Sequence, residues 1–172
     1  MAINLIILNT EQAKETQTEF NQFLSLVFKQ PMQLVLTDEF DCAVMVRDND
    51  RLCACGFGYI RSMSQGDVNF RAGILGGIAV HPEYRGQGLA KKVVNALGSQ
   101  LEIQQVKYSF LFAYQPQIYT SAGYSELTAP IHFFDTPQNR WNQFVYRGGM
   151  VKSHTNACLS ESEQIEFSGP VY

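Results

Sequence analysis

The chain has little net charge, few cysteines, a single tryptophan and no long apolar run, and these shortages exclude several classes of protein. Its 13 Lys and Arg against 16 Asp and Glu leave a formal charge of -3. No basic field therefore spreads over the surface to collect nucleic acid or anionic lipid, and an anionic ligand must meet a local site. Four cysteines, Cys42, Cys53, Cys55 and Cys158, are too sparse for a disulfide scaffold and lack the paired CxxC or CxxH spacing of a zinc site. Free thiols in a cytoplasmic protein are expected, with no metal. Cys53 and Cys55, two apart on a strand, should share a face too far apart along it for an easy disulfide. No segment approaches the roughly 18 apolar residues of a membrane span. The apolar start, Met1 to Leu8, has no basic flank or small-residue cleavage site before Asn9-Thr10-Glu11. Neither GxxxxGK[ST] nor GxGxxG occurs, which removes the main support for a P-loop ATPase or a dinucleotide-binding fold.

What is present is ordinary globular composition: 45% apolar and 12% aromatic residues in a chain of 172. That length fits one domain over residues 1–172. Ile3 to Leu8 reads as a buried strand. Thr10 offers an N-cap hydroxyl before Glu11, and Phe20, Phe23, Leu24, Val27 and Phe28 form the stripe of a helix closed by Pro31. Cys42–Val46 and Leu52–Ile60 read as a hairpin turning at Asp48-Asn49-Asp50, with Arg61 to Asp67 a polar connection. Val68 to Val80 is a long strand interrupted by Gly73, Gly76 and Gly77. The Gly76-Gly77 pair marks a bulge or a place where a ligand lies on bare backbone. Ala90, Val93, Val94, Leu97 and Leu101 mark one face of the next helix. Tyr108 to Ala113 is a strand, Gln117 to Ala122 a helix opened by Pro116 and stopped by Gly123, and Ile131–Phe134 and Gln143–Tyr146 two further strands. The polar tail, residues 153–172, has no readable conformation.

Between the glycine-broken strand and its helix lies Arg85-Gly86-Gln87-Gly88-Leu89-Ala90. Glycines let the backbone curl around a ligand, the helix start presents unpaired N–H groups and a positive dipole end, and Arg85 adds charge. A diphosphate can be held there mostly by main chain. The spacing Arg-x-x-Gly-x-Ala, preceded by Gly-Gly-Ile-Ala-Val-His-Pro-Glu-Tyr, resembles the acyl-CoA signature of the GCN5-related N-acetyltransferase superfamily. Downstream, Phe110-Leu111-Phe112-Ala113 leads into Ile118-Tyr119-Thr120-Ser121-Ala122-Gly123-Tyr124, similar to the family's second signature. The resemblance covers Gly73 to Tyr124.

The resemblance implies a mixed, mainly antiparallel α/β sheet of six or seven strands, with helices on both faces and a bulged central strand. It implies acetyl-CoA as cosubstrate, with Ile78, Ala79 and Val80 pairing the pantetheine arm. Gly86, Gln87, Gly88, Leu89, Ala90 and Lys91 would hold the pyrophosphate and Arg85 would support that loop. Tyr119 matches the tyrosine that protonates the leaving thiolate. The acceptor would be a small-molecule or peptide amine, and a homodimer is expected. The chain departs from many relatives in having no Asp or Glu between Val68 and Val80. Asp67, Glu39, Glu126, His81, Tyr114 or a water chain are the remaining bases. That gap keeps a non-catalytic acyl-CoA-binding module as the alternative. His132 and His154 have no partner at ligand spacing, and the family's asparagine before the tyrosine has no counterpart. Asp38, Glu39 and Asp41 are candidates to attract a cationic amine.

Overall fold

The computed structural model describes residues 2–143, 148–170 and 172, and within them ten strands form one hydrogen-bonded sheet. The chain runs through β1 (Ile3–Leu8), helices α1 (Thr10–Glu15) and α2 (Gln17–Phe28), and the hairpin of β2 (Phe40–Asp48) and β3 (Arg51–Gln65). It continues with β4 (Val68–Val80), α3 (Leu89–Ile103) and β5 (Tyr108–Phe112). Five short strands follow: β6 (Ser125–Glu126), β7 (Ile131–Asp135), β8 (Arg140–Gln143), β9 (Gly149–Ser153) and β10 (Ile165–Ser168). The order is β6-β9-β5-β4-β3-β10-β7-β8, with β2 and then β1 branching from β3, and the pairs β4–β5 and β7–β10 are parallel.

Alternation along β3 builds two cores. Cys55, Phe57, Tyr59 and Met63 pack with Ala13 of α1 and Phe20, Phe23 and Leu24 of α2. The intervening Gly56 and Gly58 face Val93 and Leu97 of α3. This period of two puts α1 and α2 on one face of the sheet and α3 on the other. Of the stripe expected in α3, Val93, Val94, Leu97 and Leu101 are buried and Ala90 is half-buried, while Leu89, outside the expected stripe, is buried with them. Each fully buried aliphatic side chain contributes about 1.5–3 kcal/mol.

Several local readings change. Asn9, not Thr10, caps α1, because its side chain accepts from the Gln12 N–H while the Gln12 side chain accepts from the Asn9 N–H. The segment from Arg61 to Gln65 is strand rather than connection. Its polar side chains are buried against distant partners: Arg61 on Glu39, and Gln65 on the backbone of Ser160 and Glu163. Cys53 and Cys55 face opposite cores, since the register shifts between Val46↔Ala54 and Arg47↔Leu52. All four cysteines are free. Residues 116–122 form a 3-10 turn rather than an α-helix, ended by Gly123 at φ 90°. Ten strands stand where six or seven are expected, since the two-residue β6, the short β9 and, from the tail, β10, which lies parallel to β7, carry no strand pattern of their own. β8 spans Arg140–Gln143, and of the last strand read from sequence, Gln143–Tyr146, residues 144–146 lie outside the described residues.

The Gly76-Gly77 pair is a bulge. Phe57 pairs with Gly76 and Cys55 with Ala79, so two residues of β4 oppose Gly56 alone. Gly77 sits at φ 59°, and a Cβ there would run into the Phe57 ring. Gly77→Ala therefore combines left-handed strain with overpacking. Urea unfolding should show a loss of about 2–4 kcal/mol, whereas a loss below about 0.5 kcal/mol, the range of a neutral surface change, would contradict this account of the bulge.

Candidate active site

The bulge opens the sheet at one place. β4 and β5 pair only from Ala72↔Tyr108 to Leu75↔Leu111, and beyond that point β5 turns away, with Ala113 donating to the Gly148 carbonyl. On its other side β4 stays bonded to β3 through Val80. His81 donates its N–H to Cys53. Strand alternation then turns the Ala79 backbone toward β3 and the N–H and C=O of Ile78 and Val80 into the gap. Of the three residues read as a pantetheine edge, Ile78 and Val80 offer free main-chain groups, and Ala79 serves the sheet.

The cradle follows directly. Pro82–Tyr84 form a 3-10 turn capped by His81, whose Nδ1 accepts from the Glu83 N–H at 3.3 Å. That bond makes His81 a capping residue rather than a free base. Gly86 and Gly88 adopt φ 76° and 73°, and a Cβ on either would enter open space. α3 has no side-chain cap, and among the described residues its first N–H with a partner is Lys92, which donates to the Gly88 carbonyl. The N–H groups of Leu89, Ala90 and Lys91 thus stand at the positive end of a 15-residue helix. Buried Leu89 anchors the helix start, while Arg85, Gly86, Gln87, Gly88 and Lys91 are exposed. An exposed loop of bare backbone with unpaired donors fits a diphosphate.

Tyr119 reaches the same side of the sheet. It is buried in the apolar cluster that contains Leu89 and Val93 and against which Ile78, Val80 and Ala90 pack. Burial raises its phenol pKa above 10. The group therefore holds its proton at neutral pH and can donate it to a developing anion.

The other candidate bases stand in separate places. Asp67 lies in the β3–β4 turn, nine residues and roughly 30 Å of strand from Gly76 at about 3.3 Å per residue. Glu126 is exposed on β6, beside a cavity lined with Tyr108, Val151 and Leu159. Tyr114 is 87% exposed. Glu39 is on the α1–α2 face, where its Oε2 accepts from Arg61 Nε and Nη2 and from the Tyr172 hydroxyl. Asp38 is exposed, and burial of Asp41 raises its carboxyl pKa. His154, which shows no partner in the sequence, joins Glu102 and Ser109 at 3.0 and 2.8 Å, and Ser109 meets the Tyr124 hydroxyl at 2.6 Å. This Ser-His-Glu chain offers no nucleophile, because Ser109 is completely buried. Instead it ties α3, β5 and β9 to the segment carrying Tyr119. Tyr172, 135 residues from Thr37, was beyond any local sequence signal. Among the described residues no three His, Cys, Asp or Glu side chains group to hold a metal, and no helix is long and apolar enough to cross a membrane.

A mostly antiparallel sheet parted beside a bulge, with an uncapped helix at the mouth of the gap, is an acetyltransferase fold. The chain belongs to the GNAT acetyltransferase family: the family model described as acetyltransferase (GNAT) domain matches residues 10–127. Solved structures share the fold. A probable N-acyltransferase from Enterococcus faecalis V583 has TM-score 0.60 and 20% identity, over 76% of this chain and 34% of its own. The ribosomal-protein-S18-alanine N-acetyltransferase of Escherichia coli has TM-score 0.58 and 17% identity, over 91% and 97%. The NatC complex bound to Gag peptide and CoA has TM-score 0.54 and 17% identity, over 90% and 100%. This chain therefore spans about a third of the first of these and nearly all of the other two. No curated protein sequence matches it significantly.

A side chain on either cradle glycine would project into the space a diphosphate must occupy. Gly86→Ala and Gly88→Ala should each cost about 1–2 kcal/mol of stability. CoA affinity by calorimetry should fall about tenfold or more, equivalent to about 1.4 kcal/mol. Gly98→Ala, inside α3 with open space at its Cβ, is the control and should leave CoA affinity unchanged. Equal CoA affinity in all three variants would remove the cradle from the site.

Proposed function

We propose that the chain is an acetyl-CoA-dependent N-acetyltransferase acting on a primary amine of a small molecule or peptide, with residues 1–172 forming one acetyltransferase domain. What supports this reading is that Ile78 and Val80, just past the point where β4 and β5 part, pack on the same apolar cluster as Leu89, at the uncapped start of α3, and Tyr119. A CoA-bound relative of the same fold supports it.

Acetyl-CoA supplies an activated carbonyl and a thiolate leaving group. In the proposed arrangement Gly86 to Lys91 hold the pyrophosphate through main-chain donors, with Arg85 supporting the loop. Ile78 and Val80 align the pantetheine arm as an added strand and present an N–H toward the carbonyl oxygen as it gains charge. The amine nitrogen attacks the carbonyl carbon, the carbon–sulfur bond breaks, and Tyr119 gives its proton to the departing sulfur. The proton lost by the nitrogen passes to water, which returns one to the Tyr119 phenolate, since β4 carries no carboxylate to act as base. That missing carboxylate favours the second reading, an acyl-CoA-binding module without turnover.

Thermal unfolding with CoA, acetyl-CoA and ATP tests the reading. At 100 times the dissociation constant a ligand adds about 2.7 kcal/mol of stability, and both CoA species should do so while ATP does not. Absence of any shift with CoA or acetyl-CoA would refute both readings. Tyr119→Phe should keep CoA binding and lower kcat about 100-fold. The wild-type rate should climb with pH as an amine of pKa near 10 loses its proton. Because the phenol pKa is raised, the descending limb set by Tyr119 belongs above pH 10. Binding without turnover of any amine would favour the module.

A further inference from the structure

On the α1–α2 face of the bulge, Gly76 is covered by residue 172. A methyl group added to Gly76 would lie 3.3 Å from Tyr172 Cβ and 3.5 Å from its carbonyl carbon. The Tyr172 ring stacks on Tyr59 with centroids 3.6 Å apart and planes within 8°. Its hydroxyl donates to Glu39 Oε2 at 2.9 Å and also meets Thr37 Oγ1. Arg61, held on Glu39 and nearly inaccessible, lies between the rings of Phe167 and Tyr172. Tyr172 is thus fixed by a stack, a cation–π contact and a two-partner latch.

The consequence concerns the acceptor. Tyr119 and the cradle approach the gap from the α3 face, so an amine that attacks without colliding with them comes from the α1–α2 face. There the bare backbone of Gly76 is covered to within one methyl group by residue 172, and Gly77 is covered by Phe57. We propose that Tyr172 is the specificity-determining residue on the acceptor side: latched to Glu39 and Thr37, it admits slender unbranched amines and excludes broad ones. The Glu39–Arg61 pair positions the latch, and the carboxylate is engaged by it rather than serving as a docking charge. This inference rests on the acetyl-transfer reading above.

The test compares the wild-type chain with Tyr172→Ala and Tyr172→Phe. CoA release is followed by thiol titration with 1,4-diaminobutane, with the broad polyamine kanamycin, and with water as the sole acceptor. Acetyl-CoA affinity and melting temperature are measured in parallel. Tyr172→Ala should bind acetyl-CoA within twofold of wild type and raise the kanamycin-to-diaminobutane ratio of kcat/KM at least tenfold. Tyr172→Phe, which keeps the ring and loses both hydroxyl bonds, should fall between. If wild type uses neither amine, Tyr172→Ala must still speed CoA release to an amine or to water at least tenfold. Retained acetyl-CoA binding with an unchanged ratio, or with unchanged release where wild type uses neither amine, overturns the role of Tyr172 and leaves the transferase reading intact. An equal loss with both amines in a folded, acetyl-CoA-binding Tyr172→Phe also overturns it. Absence of acetyl-CoA binding in wild type overturns both.

Discussion

Everything in this molecule is arranged around one extra residue in β4. A strand of uniform register would stay bonded to both neighbours and leave no main chain for a ligand. Accommodating two residues opposite Gly56 changes the direction of β4 just where its pairing with β5 ends. The φ of 59° at Gly77 favours glycine, and only glycine leaves space for the Phe57 ring there. The same bulge sends Gly76 and Gly77 toward the α1–α2 face and Ile78 and Val80 toward α3. It thereby separates the covered face of the strand from the face that meets the cradle.

A sheet that parts in the middle must be held elsewhere, and buried polar groups do much of the holding. Arg61 and Gln65 keep β3 in the sheet beyond the point where its apolar pattern fades, by pairing with Glu39 and with the backbone of Ser160 and Glu163. A buried pair of this kind adds little against a well-packed apolar substitute, yet removing one partner costs about 3–5 kcal/mol. Its effect is therefore on register and uniqueness. The chain from Glu102 through His154 and Ser109 to Tyr124 does the same across the parted side, joining α3 to the segment that carries Tyr119. The buried members of both networks, Arg61, Gln65 and Ser109, have poor alternatives to these bonds.

These facts explain which parts were legible in the sequence. The Gly76-Gly77 bulge, the glycine turn, the stripe of α3 and the position of Tyr119 are local patterns, set by neighbours within a few residues, and each stands where the sequence placed it. Arg61 to Gln65 read as a loop because a polar run looks solvated until its partners, up to 98 residues away, are known. Cys53 changed face through a register shift that depends on β2 as much as on β3. The tail had no periodicity to read, since β10 is four residues long and is defined by β3 and β7 on either side. In each case the missing information was a partner distant in sequence.

The same division runs through the candidate site and bears on how such a protein acquires specificity. The proposed cofactor side rests on main-chain donors between Ile78 and Lys91, and main-chain donors survive almost any substitution except at the glycines. The proposed acceptor side rests on side chains of Thr37, Glu39, Tyr59, Arg61 and Tyr172, drawn from three separate segments. A change at residue 172 or at its latch can alter what reaches the gap without disturbing any donor of the cradle, because the sheet lies between the two sets. In the proposed reading, acceptor choice can then change while cofactor geometry is held by the fold.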